Sequence, residues 1–250
     1  MMRKTILTML LVAATITADA ESLLNNVEYT VRLGYNIGGT TPIGMPATIR
    51  GLNKYTLKAT PSLGADAHKR LTSQWGVMTG LHIDRKAMEI DATVKNYHMT
   101  MTQGSDEIEG YYTGSLVTEC DEWVLTLPVT ATFRIGEKVM LKCGPYVSYV
   151  LGKAFQGHVY DGYLRRWNPT GEKIEMGDTE TTRGTFDFSN EMRDVQTGID
   201  IGADWQIGRH WGAYADLQWG LSGIHRSSFK TIEQTLYPIY GTLGVTYKLK

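Results

Sequence analysis

His82 and Asp84 form a pair whose types and spacing suit acid–base chemistry. With one residue between them on a strand, both side chains share a face, and a carboxylate there can orient an imidazole. The same spacing also describes an interior hydrogen-bonded pair, and only geometry separates the two readings. The other histidines, at 68, 98, 158, 210 and 225, are scattered. No HExxH, GxSxG, CxxC or GxxxxGK run occurs, so the motifs for zinc hydrolysis, a serine nucleophile, dithiol chemistry and phosphate binding are missing. The expectation is a protein that is not an enzyme, with no catalytic, metal or cofactor site.

A second group of residues is charged and periodic. Arg32, Lys58, Arg134, Lys138, Lys142, Asp200, Asp204 and Asp216, with Asp66, all fall on the polar side of alternating segments. Charges of both signs inside a narrow interior would have to pair, because an unpaired buried charge is costly. A charge network is therefore expected wherever those polar sides converge. Over the whole chain 25 Lys and Arg nearly balance 26 Asp and Glu, which leaves no basic stripe and no nucleic acid partner.

The elements that must carry these residues are strands. From Thr197 to Gly220 the chain alternates: Ile199, Ile201, Ala203 and Trp205 oppose Gly198, Asp200, Gly202 and Asp204, and the pattern resumes after Gly208. Similar alternation covers about residues 27–36, 56–67, 74–84, 122–134, 138–152 and 238–249, giving eight strands in all. Short connections around Lys69, Gly136 and Gly208 alternate with long ones at about 37–55, 85–121, 153–194 and 222–237. Pro61, Pro128 and Pro145 count against an unbroken ladder, since proline has no N–H to donate. Cys143 is expected to face outward opposite Val129, far from Cys120, so both thiols should be free. The KNYHMTM run, 95–101, could extend a hairpin beyond the strands.

Aromatic positions say which face is wet. Tyr29, Trp75, Phe133, Trp205, Trp211 and Tyr247 lie on the apolar side at the short-turn end of the strands. Tyr35, Trp123, Tyr149 and Trp219 lie at the loop end. Two aromatic rings bounding an aliphatic band are the girdles of a membrane barrel, whose polar face fills the lumen. The chain also opens as an export leader does, with Arg3 and Lys4, an apolar run to Ala14 and an A-x-A-like site at 18–20. The expected organisation is a cleaved signal peptide at 1–20 and a barrel domain at 21–250. The expected fold is all-β, an eight-stranded antiparallel up-and-down transmembrane barrel with short periplasmic turns and long extracellular loops.

Residues 59–84 (ATPSLGADAHKRLTSQWGVMTGLHID), the WVLTLPVTATF strand, the DGYLRRWNPTGEKIE loop and the last strand together resemble the PorT-like outer-membrane β-barrel proteins, a porin-like family of Bacteroidetes related in architecture to small OmpX/OmpA-type barrels. The last strand also resembles the signal read by the barrel-assembly machinery, in Thr242, Gly244, Tyr247 and Leu249, although it ends on Lys250 rather than an aromatic. The resemblance implies an outer-membrane location and the lipid bilayer and assembly machinery as partners. Loop aromatics such as Tyr97, Tyr111, Tyr163, Trp167 and Phe188 could meet an extracellular or envelope protein, or pack the loops together. The leading expectation is a non-enzymatic membrane scaffold that presents loops for binding or envelope stability. The alternatives are a porin-like small-solute channel, a secretion-associated component and a soluble lipocalin-like ligand-binding barrel.

Overall fold

Alternation along the chain becomes an antiparallel sheet closed on itself. A computed structural model describes residues 26–104, 106–232 and 234–249; the leader and its cleavage site lie outside those residues. The elements are β1 (Val27–Pro42), β2 (Ile49–Leu57), β3 (Pro61–Arg70), β4 (Trp75–Gln103), β5 (Asp106–Ile135), β6 (Val139–Arg166), β7 (Lys173–Met176), β8 (Gly184–Asp187), β9 (Val195–Gln206), β10 (Trp211–Gly220) and β11 (Leu236–Lys248). Eight of them form a ring. β3 and β11 flank β1, then β10, β9, β6, β5 and β4 follow in turn, and β4 returns to β3. Closure removes the free edges that an open sheet would expose. The remaining three strands add to the ring: β2 on β4, β7 on β6, and β8 bridging β4 and β6.

The short turns fall between β3 and β4, β5 and β6, and β9 and β10. Gly136, with φ +63°, makes the second of these in a left-handed conformation that suits glycine. Pro128 sits within β5, and the ladder steps around it, from Thr79–Val129 to His82–Thr126. The Thr79 hydroxyl donates to the Pro128 carbonyl at 2.8 Å across that gap.

The strands run further than their apolar alternation indicates. Segments expected at 74–84, 122–134 and 138–152 reach Gln103, start at Asp106 and reach Arg166. The expected loop at 85–121 is instead one continuous hairpin, paired up to Gln103 and Asp106, and it includes the 95–101 run. The expected loop at 37–55 contains the upper end of β1 and most of β2. The physical reason is an inversion of the pattern. In the lower part Val77, Leu81 and Ile83 point outward and are exposed, while His82 and Asp84 point inward. From Met88 upward the apolar residues point inward, and Arg85, Glu89 and Asp91 take the outer face. The upper part is thus built like a water-facing barrel, with a core of Met88, Val94, Met99, Tyr112, Phe155 and Leu164, among others.

Candidate functional site

The lower lumen is filled by ions. Arg32 on β1 reaches Asp66 at 3.2 Å, Asp216 at 3.1 Å and Asp204 at 3.3 Å. Lys142 on β6 reaches Asp216 at 2.8 Å and Asp204 at 3.1 Å. Both cations are almost fully buried. The guanidinium also lies 4.0 Å from the centre of the Tyr214 ring, a favourable position over an aromatic face. Tyr214 fits because Gly34 and Gly244 face it; a side chain at either position would collide with its ring or hydroxyl. Gly80 makes room for Asp66 in the same way. An eight-stranded interior is just wide enough to be filled by side chains, and here glycines decide which ones fit.

His82 is part of this network, but not with Asp84. Its Nε2 lies 2.7 Å from Asp66 Oδ1. The expected His82–Asp84 pair is therefore corrected: Asp66 comes to His82 from the neighbouring strand, and Asp66 is also tied to Arg32. At 4% exposure the imidazole is enclosed within the network.

The structure separates the other charged residues that sequence placed on the lumen face. Lys58 is not in the lumen. It precedes Pro61, where β3 begins, and its ammonium turns to the outer face, where it meets Glu89 and, at 3.2 Å, Glu119. Their mutual hydrogen bond holds the Glu89 carboxyl below its ordinary range and the Lys58 ammonium above its own. Lys138 is exposed at the short-turn mouth, and Arg134 lies there 4.0 Å from Glu28. Glu28 gathers Lys248 at 2.8 Å and Arg70 at 3.6 Å in the same place. Asp200 is in the lumen and buried, with its Oδ1 unpartnered.

Above the Arg32 network lies a second polar deck that sequence reasoning missed. Lys86 is fully enclosed between the rings of Tyr146 and Tyr240, at 5.5 and 5.7 Å. Glu122, also fully buried, accepts a hydrogen bond from Gln196 at 2.6 Å. Lys86 is two residues beyond Asp84 and Glu122 four before Thr126, so both keep the lumen phase of their strands. That phase was the available signal. A polar cavity of about 270 Å³ opens at the short-turn mouth and reaches Asp66 and Asp204. An apolar cavity of about 370 Å³ begins on the loop side at Met88. The two charged decks stand between them.

The outer surface is layered. Tyr29, Trp75, Trp205, Trp211 and Tyr247 are exposed at the turn end, and Phe133 packs on Trp75 with ring centres 4.9 Å apart. Trp211 meets Tyr247 edge-on at 4.9 Å. Tyr35, Trp123, Tyr149 and Trp219 are exposed at the loop end. Leu33, Leu81, Leu127, Leu141 and Ile201 are exposed between them. Directly above the upper aromatics the outer face becomes ionic. Arg85, opposite Trp123 in register, holds Asp121 through two contacts, at 3.1 and 2.5 Å. Tyr160 donates to Asp91 at 2.8 Å. Tyr247 lies at the turn end of β11 and Leu249 just past it, while Gly244 sits mid-strand opposite Gly34 and faces inward toward Tyr214.

Both cysteines are free. Cys143 is exposed on the apolar band and pairs with Ala131, two residues from the expected Val129. Cys120 is buried in the upper core. The loop aromatics mostly pack on one another: Phe155, Phe186 and Phe188 form one stack, which Phe229 and His225 join. Burial of the His225 ring pushes its pKa down to about 4. Trp167 remains 71% exposed.

A family model described as outer membrane protein beta-barrel domain matches residues 17–226. No curated protein matches the chain. Among solved structures, the chain is similar to Ail, the attachment invasion locus protein of Yersinia pestis, at 12% identity and TM-score 0.39, over 89% of this chain and 98% of that one. It is also similar to the outer membrane protein OprG from Pseudomonas aeruginosa, at 12% identity and TM-score 0.36, over 89% and 95%.

Proposed function

Because the chain belongs to the outer membrane protein beta-barrel domain family, and so is a β-barrel embedded in the outer-membrane bilayer, we propose that it is a non-enzymatic scaffold that presents a rigid extracellular extension to a partner outside the cell. The observation that carries this reading is the inversion at Met88. The β4–β5 hairpin leaves the apolar band still paired, with one register shift between Val94 and Tyr97, and with β6, β7, β8 and the segment around Ile224 it encloses a second apolar core. A chain that needed only to sit in the membrane would have no use for a second core above it. A rigid stalk holds its loops at a fixed distance and orientation, which lowers the ordering cost of binding.

The finer parts of this reading follow from the sequence. Residues 1–20 act as the cleaved export leader, and Thr242, Gly244, Tyr247 and Leu249 present the last strand to the barrel-assembly machinery. The likeness to PorT-like proteins adds a secretion-linked partner as the more specific form of the same role. The two charged decks argue against a solute channel as the resting function, since a pore needs a continuous water path.

The test is crosslinking on intact cells from a photoreactive residue placed at position 167, which is exposed and sits beside the β4–β5 hairpin, its N–H donating to the Glu109 carbonyl. The reading predicts a discrete protein adduct that disappears when residues 95–113 are replaced by a two-residue turn in a barrel that still inserts. Adducts identical in the two proteins would contradict it.

A further inference from the structure

The wall of the barrel has a seam. Up to Tyr35, β1 is paired with β3 by a regular ladder that ends at Tyr35–Pro61. One further backbone hydrogen bond follows, from Asn36 N–H to the Thr60 carbonyl at 2.9 Å. Above it, β1 continues to Pro42 against β11 alone, and β2 pairs with β4 alone. The facing edges of β1 and β2 are joined there by tyrosine hydroxyls in place of a ladder. Tyr55 donates to the Gly38 carbonyl at 2.5 Å, and Tyr35 donates to the Lys58 carbonyl. An unladdered pair of edges is a weak line in an otherwise closed sheet.

Behind this seam lies the apolar cavity of about 370 Å³. Its deep wall includes Met88, Val94, Met99 and Phe155, each 3% exposed or less. Its other wall includes Met45, Leu52 and Tyr55, which are 69%, 58% and 38% exposed. The cavity therefore opens on the side where β1 and β2 part. The surface just below the opening is apolar as well: Tyr35 and Ile37, on the outer face of β1, are 39% and 48% exposed and continue the lipid-facing band. Below the cavity the lumen is shut by Lys86, Glu122 and the deck around them.

We infer that this cavity takes an acyl chain that rises out of the outer leaflet along the exposed Tyr35 and Ile37 and enters from the side through the seam between β1 and β2, just above the lipid boundary. A chamber lined by methionine and phenylalanine, with threonines such as Thr40 and Thr118 as its few polar side chains, suits a ligand without hydrogen-bonding groups. Methionine adapts its shape to such ligands at little cost. A charged floor rejects an apolar chain, so the chamber is a pocket open to lipid rather than a passage through the barrel. Tyr55 acts as the latch, because its ring lines the chamber and its hydroxyl holds the opposite edge. This goes beyond the scaffold role and involves the chamber instead of the hairpin tip.

The test uses the full chain reconstituted in phospholipid vesicles with a fatty acid carrying a diazirine near its methyl end, followed by peptide mapping after illumination. The inference predicts adducts on peptides containing Met88, Met99 or Phe155 in addition to boundary adducts on the outer band. Ala92→Trp, which fills the chamber, should cut the chamber adducts by about tenfold and leave the boundary adducts unchanged. Val94→Phe serves the same purpose if the first variant does not insert. Tyr55→Phe keeps the ring, frees the seam and should speed chamber labelling several-fold. Adducts confined to the outer band, or chamber adducts that neither filling variant reduces, would overturn the site. Chamber labelling whose rate is unaffected by Tyr55→Phe would overturn the sideways route.

Discussion

Arg32 Nη1 stands 3.1 Å from Asp216 Oδ2 in the middle of the barrel, and the same aspartate takes Lys142 at 2.8 Å through its other oxygen. Two cations and three aspartates thus form one continuous set, from strands on both sides of the lumen. Removing one member leaves the others buried and unbalanced, which costs far more than the pair contributes. Arg32→Met should destabilise the barrel by about 3–5 kcal/mol, read as a lower urea midpoint for unfolding in lipid. Arg32→Met combined with Asp216→Asn should recover part of that loss. A single variant as stable as the parent would show that the network is not a structural plug.

The same network governs permeation. In planar bilayers the protein should show no steady conductance. Asp204→Ala with Asp216→Ala removes the acids that hold Arg32 and Lys142 across the lumen, yet the Lys86–Glu122 deck still closes it above; adding Glu122→Ala should produce anion-preferring openings, since the freed cations then line the path. Steady conductance in the unaltered protein would show that the decks do not seal the barrel.

The outer face provides an independent check. Leu81→Arg places a charge on the exposed apolar band and should cost about 2–4 kcal/mol. At Arg85, two alternations higher on the same face, the existing charge is already matched by Asp121. Arg85→Leu should change stability much less than Leu81→Arg. Equal effects would mean that the boundary between lipid and water does not fall between these residues.

Sequence made the lower barrel legible because one alternation recurs there, apolar outward and polar inward, with aromatics gathered at the two ends of the outward band. Trp75 and Phe133, or Trp211 and Tyr247, can be placed by that rule before any contact is known. The upper half was not legible because the rule reverses at Met88 without any break in the backbone. A single alternating window sees Arg85, Lys86 and Ala87 as the end of a strand, although the ladder continues to Gln103. Lys58 misled for a related reason. It shares the phase of Asp66, but the chain leaves regular strand geometry between Leu57 and Pro61, so phase no longer reports side. His82 found Asp66 rather than Asp84 because the two face glycines across the strands, Gly64 and Gly80, and each leans diagonally over the space that glycine leaves.

Acid should loosen the extracellular extension before the barrel. His225 packs edge-on against Phe155 at 4.7 Å, and burial lowers its pKa from 6.5 to about 4. Between those two values the unpacked loop binds a proton that the packed loop does not, so packing is fully stable above pH 6.5 and weakens as pH falls toward 4. Limited proteolysis of the 222–235 segment should accelerate across that window, and His225→Phe should remove the dependence. A cleavage rate independent of pH in the parent would refute this assignment.

The central claim is that the exposed apolar band faces lipid. Its most direct measurement is the gel mobility of the membrane-fraction protein with and without heating in detergent. The account predicts protein in the outer-membrane fraction that migrates as a compact species unheated and shifts on boiling, because a closed ladder resists detergent until heat breaks it. Soluble protein with a single mobility would contradict it, and would mean that the band of Leu33, Leu81 and Leu141 is covered by something other than a bilayer.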